Sequence, residues 1–334
     1  MARAPGGEFR LIRAFTRALP SRGHGVRVGV GDDAAVLALP RGEDLVATVD
    51  AVVEGVHLDA GATPFDWGWK ALAVNLSDLA AMGARPLWAL VALALPPEAA
   101  GRATGIARGI AACARSAAPG LAVVGGNVSR AEQASVTVTV LGAVAPRRAM
   151  LRSGARPGDV VAVTGTLGDA ALGLRPGADR SLLRRQRRPV PRLDVGRALA
   201  PIARAGIDVS DGLAADLGHV CRASAVGAEI EVALLPLSPA ARREPRAAAI
   251  AAALGGGEDY ELCLAIPPSR LERARAAARR AGVALTAIGR FVRGRGVTVR
   301  DAAGRRVRPP AGHDHMAGRA RPQRPLGQGH VASF

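Results

Sequence analysis

The segment GWKALAVNLSDLAAMG, residues 68–83, is apolar at nearly every position and ends in glycine. This pattern predicts a largely buried helix that stops at the final glycine. Asn75 and Asp78 are three positions apart, so they share one face of the helix. A buried carboxylate needs a partner, because desolvating it alone is very costly. A distant arginine or a metal ion could serve, and the metal is the more economical hypothesis because Lys70 lies two turns away.

Strands and further helices are predicted on both sides of this segment, which indicates an α/β or α+β protein. The chain has 334 residues, enough for two domains. We predict domains over residues 1–148 and 149–316 and a basic, disordered tail over 317–334. The predicted strands include 44–49, 87–95, 121–124 (breaking at a glycine pair), 135–141 and 229–237, the predicted helices include 8–20, 98–118 and 269–282, and residues 175–192 are predicted to be an exposed connection.

Composition excludes several classes of protein. The net charge is +17, but Lys70 is the only lysine among 45 basic residues and aromatic residues make up only 3% of the chain. Dispersed arginine with few aromatic residues is not typical of nucleic-acid binding, so we expect no nucleic-acid partner. No apolar run reaches the length of a membrane span, and no signal peptide is evident. Three widely separated cysteines form no zinc or disulfide pattern. We therefore expect a cytoplasmic protein.

Acidic residues recur beside glycines or at the ends of predicted strands. Each has a structural alternative, since a turn or a helix N-cap also uses aspartate. Together, however, they form a set of hard oxygen ligands without cysteine, which favours Mg²⁺ and, with it, phosphate chemistry. No phosphate-binding GxxxxGK[ST] loop, dinucleotide-binding GxGxxG turn or protein-kinase motif is present. The acids of this set are Asp32, Asp33, Asp50, Asp78, Asp208 and Asp211.

Several of these segments resemble the thiamine-monophosphate kinases, a family related to aminoimidazole ribonucleotide synthetase. The resemblance extends over roughly residues 7–316. It rests chiefly on GVGDDAAV (29–36), KALAVNLSDLAAMGARP (70–86), RSGARPGD (152–159), VTGTLGDAALGL (163–174), IDVSDGLAADLGH (207–219) and GGEDYELC (256–263).

The resemblance implies a two-domain fold like that of aminoimidazole ribonucleotide synthetase. Its N-terminal domain, a mixed sheet with helices, would bind Mg-ATP and form a homodimer; its C-terminal domain would be α/β. The implied reaction is direct in-line transfer of phosphate from ATP to thiamine monophosphate, with several Mg²⁺ ions and no catalytic side chain assigned. The matching positions are Asp33, Thr48, Val49, Asp50, Asp78, Asn127, Asp208 and Asp211 for metal, Gly125, Gly126, Arg152 and Ser210 for nucleotide, and His57, Glu258 and His313 for substrate.

The chain departs from the family pattern at three of these positions. Asn127 stands where the family has aspartate, so it offers a carbonyl oxygen without a charge. Val49 replaces a hydroxyl residue and could bind metal only through its backbone carbonyl. His313 stands where an aromatic residue stacks on the substrate. Two alternatives stay open: a degenerate nucleotide-binding homologue with little activity, and a sister ATP-dependent synthetase.

Overall fold

The structure is a computed structural model that describes residues 7–31, 33–301 and 303–307. Its amino-terminal half is built on a mixed four-stranded sheet with strand order β3-β6-β4-β5, in which β4 and β5 are parallel. A small antiparallel pair, β1 and β2, precedes this sheet. The elements are α1 (Gly7–Arg17), β1 (Val26–Val28), β2 (Val36–Leu37), β3 (Asp44–Val53), α2 (Pro64–Ala81), β4 (Arg85–Leu95), α3 (Ala103–Ala117), β5 (Ala122–Arg130) and β6 (Ser135–Val144).

The carboxy-terminal half is built on a seven-stranded sheet with strand order β13-β12-β9-β11-β7-β10-β8. Its neighbouring strands are antiparallel except for β12 and β9. The elements are β7 (Val160–Thr164), α4 (Asp169–Gly173), α5 (Arg180–Arg187), α6 (Leu193–Leu199), β8 (Ala205–Asp208), α7 (Leu213–Ser224), β9 (Gly227–Glu231), α8 (Arg246–Gly255), β10 (Leu262–Ile266), α9 (Leu271–Arg280), β11 (Leu285–Val292), β12 (Gly296–Arg300) and β13 (Arg306–Val307).

Helix α2 is the predicted buried helix. Its start is fixed by a capping box: the Thr63 side chain accepts from the Asp66 N–H, and the Asp66 carboxylate accepts from the Thr63 N–H. Pro64 occupies the first turn, where its missing N–H is harmless. The helix contacts α3 and the four-stranded sheet of the amino-terminal half and α6 and β8 of the carboxy-terminal half. One hydrophobic core therefore continues from one half into the other.

Three predictions about local structure are wrong. The strand expected to break at Gly125 continues through it as β5, because the pairing with β4 shifts register by one residue before Gly125 and then resumes as far as Arg130. Residues 175–192, expected to be an exposed connection, contain α5, whose Leu182 and Gln186 side chains are buried. The strand predicted over 229–237 ends at Glu231, where a 3-10 turn follows.

The predicted fold class is confirmed, since two mixed α/β halves are present. No helix in the described part of the chain is long and apolar enough to cross a membrane. The boundary predicted between residues 148 and 149 falls in the segment that joins β6 to β7, and it stays a prediction. Asp32, His313 and the predicted tail lie outside the described residues.

Candidate active site

A cavity of about 290 Å³ lies where the two halves of the protein meet. It is lined by the end of β3 and the loop after it, by α2, by the turn after β8 and by the turn before β10. The fold thus gathers segments that are distant in sequence. Among the residues singled out from the sequence, the cavity brings together Val49, Asp50, His57, Asp78, Asp208, Ser210, Asp211 and Glu258.

Among the acidic residues that line this cavity are Asp78 of α2 and Asp208 at the end of β8. Thr48 Oγ1 donates a hydrogen bond to Asp78 Oδ2 over 2.5 Å, and Ser77 Oγ donates to Asp208 Oδ2 over 2.7 Å. Burial raises the pKa of Asp78, and the Thr48 hydroxyl and the Arg152 charge offset this only in part. Burial, reinforced by repulsion from Asp78, raises the pKa of Asp208. A cation bound between them would relieve both costs.

The residues predicted on β5 lie apart from the two acids. Asp50 on β3 pairs with Val138, which pairs with Val91, which pairs with Gly126. At about 4.8 Å between neighbouring strands, Gly126 lies about 14 Å from Asp50 within one sheet. Asn127 follows Gly126 and is exposed. The structure therefore does not bring the β5 residues into the cavity of Asp78 and Asp208.

A buried lysine lies at the wall of the cavity that carries Glu258. Lys70 Nζ is 2.6 Å from Glu258 Oε1 and donates to the His57 carbonyl oxygen over 2.7 Å. Gln186 of α5 reaches the same two groups, donating from Nε2 to the His57 carbonyl oxygen over 2.9 Å and to Glu258 Oε2 over 3.1 Å. Sequence reasoning missed Gln186, because its segment carries only arginine and proline signals.

The halves of the chain match two family models. Residues 31–144 match the N-terminal domain of AIR synthase related proteins, and residues 156–302 match the C-terminal domain. The thiamine-monophosphate kinase of Escherichia coli strain K12 is 42% identical over 298 residues, which are 85% of this chain and 90% of that protein.

The chain belongs to the thiamine-monophosphate kinase family. The crystal structure of thiamine-monophosphate kinase from Stenotrophomonas maltophilia K279a is similar at 40% identity with a TM-score of 0.79, over 87% of this chain and 94% of that one. The structure of AaThiL complexed with AMPPCP and TMP is similar at 33% identity with a TM-score of 0.71, over 92% and 97%. The family predicted from the sequence motifs is thereby confirmed.

The aspartates that line the cavity are of the ligand type that Mg²⁺ prefers. Mg²⁺ takes oxygen ligands and is commonly held by one or two carboxylates together with substrate phosphates. Among the described residues, no three His, Cys, Asp or Glu side chains converge closely enough to hold a metal by themselves. Asp33 does not line the cavity of Asp78 and Asp208. Asp78 and Asp208, with Asp50 and Asp211 lining the same cavity, therefore fit Mg²⁺ that phosphate oxygens complete.

An acid that sequence reasoning overlooked fixes the turn carrying Ser210 and Asp211. Asp216, in the first turn of α7, accepts hydrogen bonds from the backbone N–H groups of Ser210, Asp211 and Gly212 over 3.0, 3.0 and 3.1 Å. Burial raises the pKa of Asp216 to about 7, even though these bonds act in the opposite direction. These bonds fix the turn whose Ser210 and Asp211 line the cavity.

Asp259, next to Glu258, is half-buried and does not line the cavity. Its carboxyl oxygens accept from the N–H groups of Gly168 and Ala170 over 2.7 and 3.3 Å. Burial, with smaller contributions from the charges of Asp169 and Glu261, raises the pKa of Asp259 to about 8. Near neutral pH the folded protein therefore keeps a proton on Asp259 that the unfolded chain releases.

Asp259 makes the stability of the protein depend on pH. Between the ordinary aspartate pKa of 3.8 and the raised value of about 8, the folded state binds the extra proton, so the free energy of unfolding falls as pH rises. The slope from this one group is about 1.4 kcal/mol per pH unit. Across this window, the free energy of unfolding measured in urea should fall less steeply with pH in Asp259→Asn than in the wild type. The exposed control Asp194→Asn should keep the wild-type slope, and equal slopes in all three proteins would refute the account.

Proposed function

We propose that this protein transfers the γ-phosphate of ATP to the phosphate of thiamine monophosphate, which forms thiamine diphosphate. The observation that carries the proposal is the acid pair Asp78 and Asp208, which faces the same cavity as His57 and Glu258. Membership in the thiamine-monophosphate kinase family supports the same substrate and donor, since the similar AaThiL was solved with AMPPCP and TMP. We expect the reaction to take place in the cytoplasm.

The chain's own residues would act by position and charge. Asp50, Asp78, Asp208 and Asp211 would hold several Mg²⁺ ions together with the phosphate oxygens, and the bound ions would neutralise phosphate charge. Thr48 keeps Asp78 turned toward the cavity through its hydrogen bond. The acceptor is a phosphate oxygen, which is already ionised at neutral pH, so no side chain is needed to remove a proton. Alignment of the two phosphates would supply most of the rate acceleration.

We propose that four residues outside the cavity contact the nucleotide or its bound cation: Gly125, Gly126, Asn127 and Arg152. Gly125 and Gly126 on β5 would contact a part of ATP remote from the transferred phosphate, and Asn127 would offer its carbonyl oxygen to a cation there. Arg152 lies close enough to Asp78 for its charge to lower the pKa of that carboxyl. Its guanidinium is therefore near the acids and suited to the charged end of the nucleotide. His313 would add a substrate contact.

The proposal also includes a homodimer formed through the four-stranded sheet. Val49 on β3 and Leu90 on β4 occupy one row of that sheet, through Thr139 of β6. Their side chains are 60% and 36% exposed, which is unusual for apolar residues in the centre of strands. Packing two such faces together would remove this apolar surface from water.

Replacing Leu90 by glutamate should convert the dimer to a monomer, because each interface would gain two buried charges without partners. Sedimentation or light scattering of the purified protein measures this directly. The control Leu174→Glu introduces the same charge at a leucine that is 51% exposed outside the sheet, and it should leave the mass unchanged. A wild-type mass equal to that of the monomer would exclude the proposed dimer.

The decisive test of the activity is a direct assay. Purified protein is incubated with ATP, Mg²⁺ and thiamine monophosphate, and thiamine diphosphate and ADP are both quantified. We expect stoichiometric formation of the two products, absent when Mg²⁺ is chelated. ATP binding without thiamine diphosphate formation would instead support the degenerate homologue. The substrates of sister synthetases would then be assayed.

A further inference from the structure

We infer that Lys70 and Gln186 are positioning residues that clamp the His57 loop and the Glu258 turn to each other. The inference depends on the proposed function only for the identity of the substrate. Each of the two side chains donates to the same pair of acceptors, the His57 carbonyl oxygen and the Glu258 carboxylate. Two residues expected to contact the substrate are thereby held at a fixed separation.

Lys70 is suited to this role by its complete burial. Its side chain has no solvent exposure, so its N–H donors must be satisfied inside the protein. The Glu258 carboxylate balances its charge, and the His57 carbonyl accepts a second hydrogen bond. Because the lysine projects from the rigid helix α2, it fixes both acceptors relative to the helix that carries Asp78.

Gln186 makes the same link from the carboxy-terminal half. An amide has two N–H donors on Nε2, and Gln186 directs them to the His57 carbonyl and to Glu258 Oε2. The side chain is 1% exposed, and its Oε1 atom has no hydrogen-bond partner among the described residues. An unsatisfied buried acceptor carries a free-energy cost. The Gln186 amide bears this cost because, in this orientation, its Nε2 atom donates to both the His57 carbonyl and Glu258.

Arginines hold the helix that presents Gln186. Arg185 Nη2 of α5 lies 3.1 Å from Glu261 Oε1, and Arg192, which precedes α6, donates from Nε to Glu261 Oε2 over 2.7 Å. Arg187 Nε donates to Asp59 Oδ1, in the loop after His57, over 2.8 Å. Helix α5 is thus tied to both segments that Gln186 joins, so the amide has little freedom to move away.

The Glu258 turn needs such outside support. Glu258 and Tyr260 have φ values of 60° and 51°, in the left-handed region that residues with side chains seldom adopt. Residues in this region persist only when their surroundings hold them there. The Glu258 N–H donates to the Ser210 carbonyl over 2.7 Å and the Tyr260 N–H to the Val209 carbonyl over 2.9 Å. The side-chain contacts with Lys70 and Gln186 add to the restraint that these bonds and those of Asp259 provide.

The test compares Lys70→Met, Gln186→Leu and the double variant with the wild type. The matched control is Gln133→Leu, because Gln133 Nε2 donates to the Glu54 carbonyl in the same loop region but touches no part of the Glu258 turn. We expect each single variant to raise KM for thiamine monophosphate by about tenfold or more, as loss of a hydrogen bond to a charged group does. KM for ATP should stay unchanged. Because both residues act on one pair of groups, the effects in the double variant should not multiply.

Hydrogen exchange provides a second readout that does not require activity. In both Lys70→Met and Gln186→Leu, we expect faster backbone amide exchange in residues 54–58 and 256–261 together, while α3 stays protected. In Gln133→Leu, the exchange of residues 256–261 should be unchanged. Equal increases in KM for both substrates, or unchanged exchange in the two segments, would overturn the inference. A wild type without thiamine diphosphate formation would refute the proposed function alone, since exchange still tests the clamp. If Lys70→Met does not fold, Gln186→Leu tests it in the same way.

Discussion

Replacing Asp78 by asparagine is expected to lower the rate of thiamine diphosphate formation by a factor of about 10³ or more. Removing one preorganised electrostatic contact to a reacting group typically costs 10²–10³ in rate, roughly 3–4 kcal/mol. The Asp78 carboxylate is proposed to hold the ion that neutralises phosphate, so the loss should lie at or beyond the top of that range. The assay that follows thiamine diphosphate and ADP measures it.

The same substitution should not harm the fold. Asparagine retains an oxygen that can accept the Thr48 hydrogen bond, and it removes the repulsion that raises the pKa of Asp208. Without Mg²⁺ the variant should therefore be at least as stable to urea as the wild type, as expected when a charged active-site group is neutralised. Asp194→Asn makes the same chemical change at an exposed position of α6 and should leave the rate unaffected. Unchanged turnover in Asp78→Asn would remove Asp78 from the site.

The parts of the site that sequence predicted are those with strong local signals. Asp78 could be singled out because a carboxylate in an apolar helix requires a partner, and Thr48 and Asp50 because alternate strand residues point to one side. The partner found for Asp78 inside the protein is the Thr48 hydroxyl, a contact between residues 30 positions apart. Such a pairing depends on how β3 lies against α2, which no local pattern specifies.

The parts that sequence missed depend on long-range packing. Arginines and prolines between residues 175 and 192 suggested an exposed connection, yet Arg185 and Arg192 pair with Glu261, whose side chain is completely buried. Charged residues can enter a core when opposite charges meet there, and composition alone cannot show that they will. The role of Gln186 depends on the packing of α5 against the Glu258 turn, which the sequence of this segment does not specify.

Replacing Gly68 by alanine should destabilise the protein at the contact between α2 and α3. Gly68 lies within α2, where its α-carbon faces the backbone of α3: an added Cβ would overlap the Ile106 carbonyl oxygen. The contact is reciprocal, because a Cβ on Gly109 of α3 would overlap the Phe65 carbonyl oxygen of α2. Both obstacles are backbone atoms, so no side chain can rotate away, and the two helices would have to separate.

Two effects of opposite sign compete at Gly68, and their sizes predict the outcome. Alanine in place of glycine inside a helix stabilises it by about 1 kcal/mol through helix propensity. Overpacking, including the backbone shifts it forces, typically costs 1–3 kcal/mol, and an overlap with backbone on both helices should lie at the upper end. After the propensity gain is subtracted, we expect the free energy of unfolding to fall by about 2 kcal/mol. Urea unfolding measures it, with Gly101→Ala as control because a Cβ there meets no atom within 4 Å. A Gly68→Ala protein more stable than wild type would show that helix propensity outweighs the contact, and that α2 and α3 are not held at their separation by these glycines.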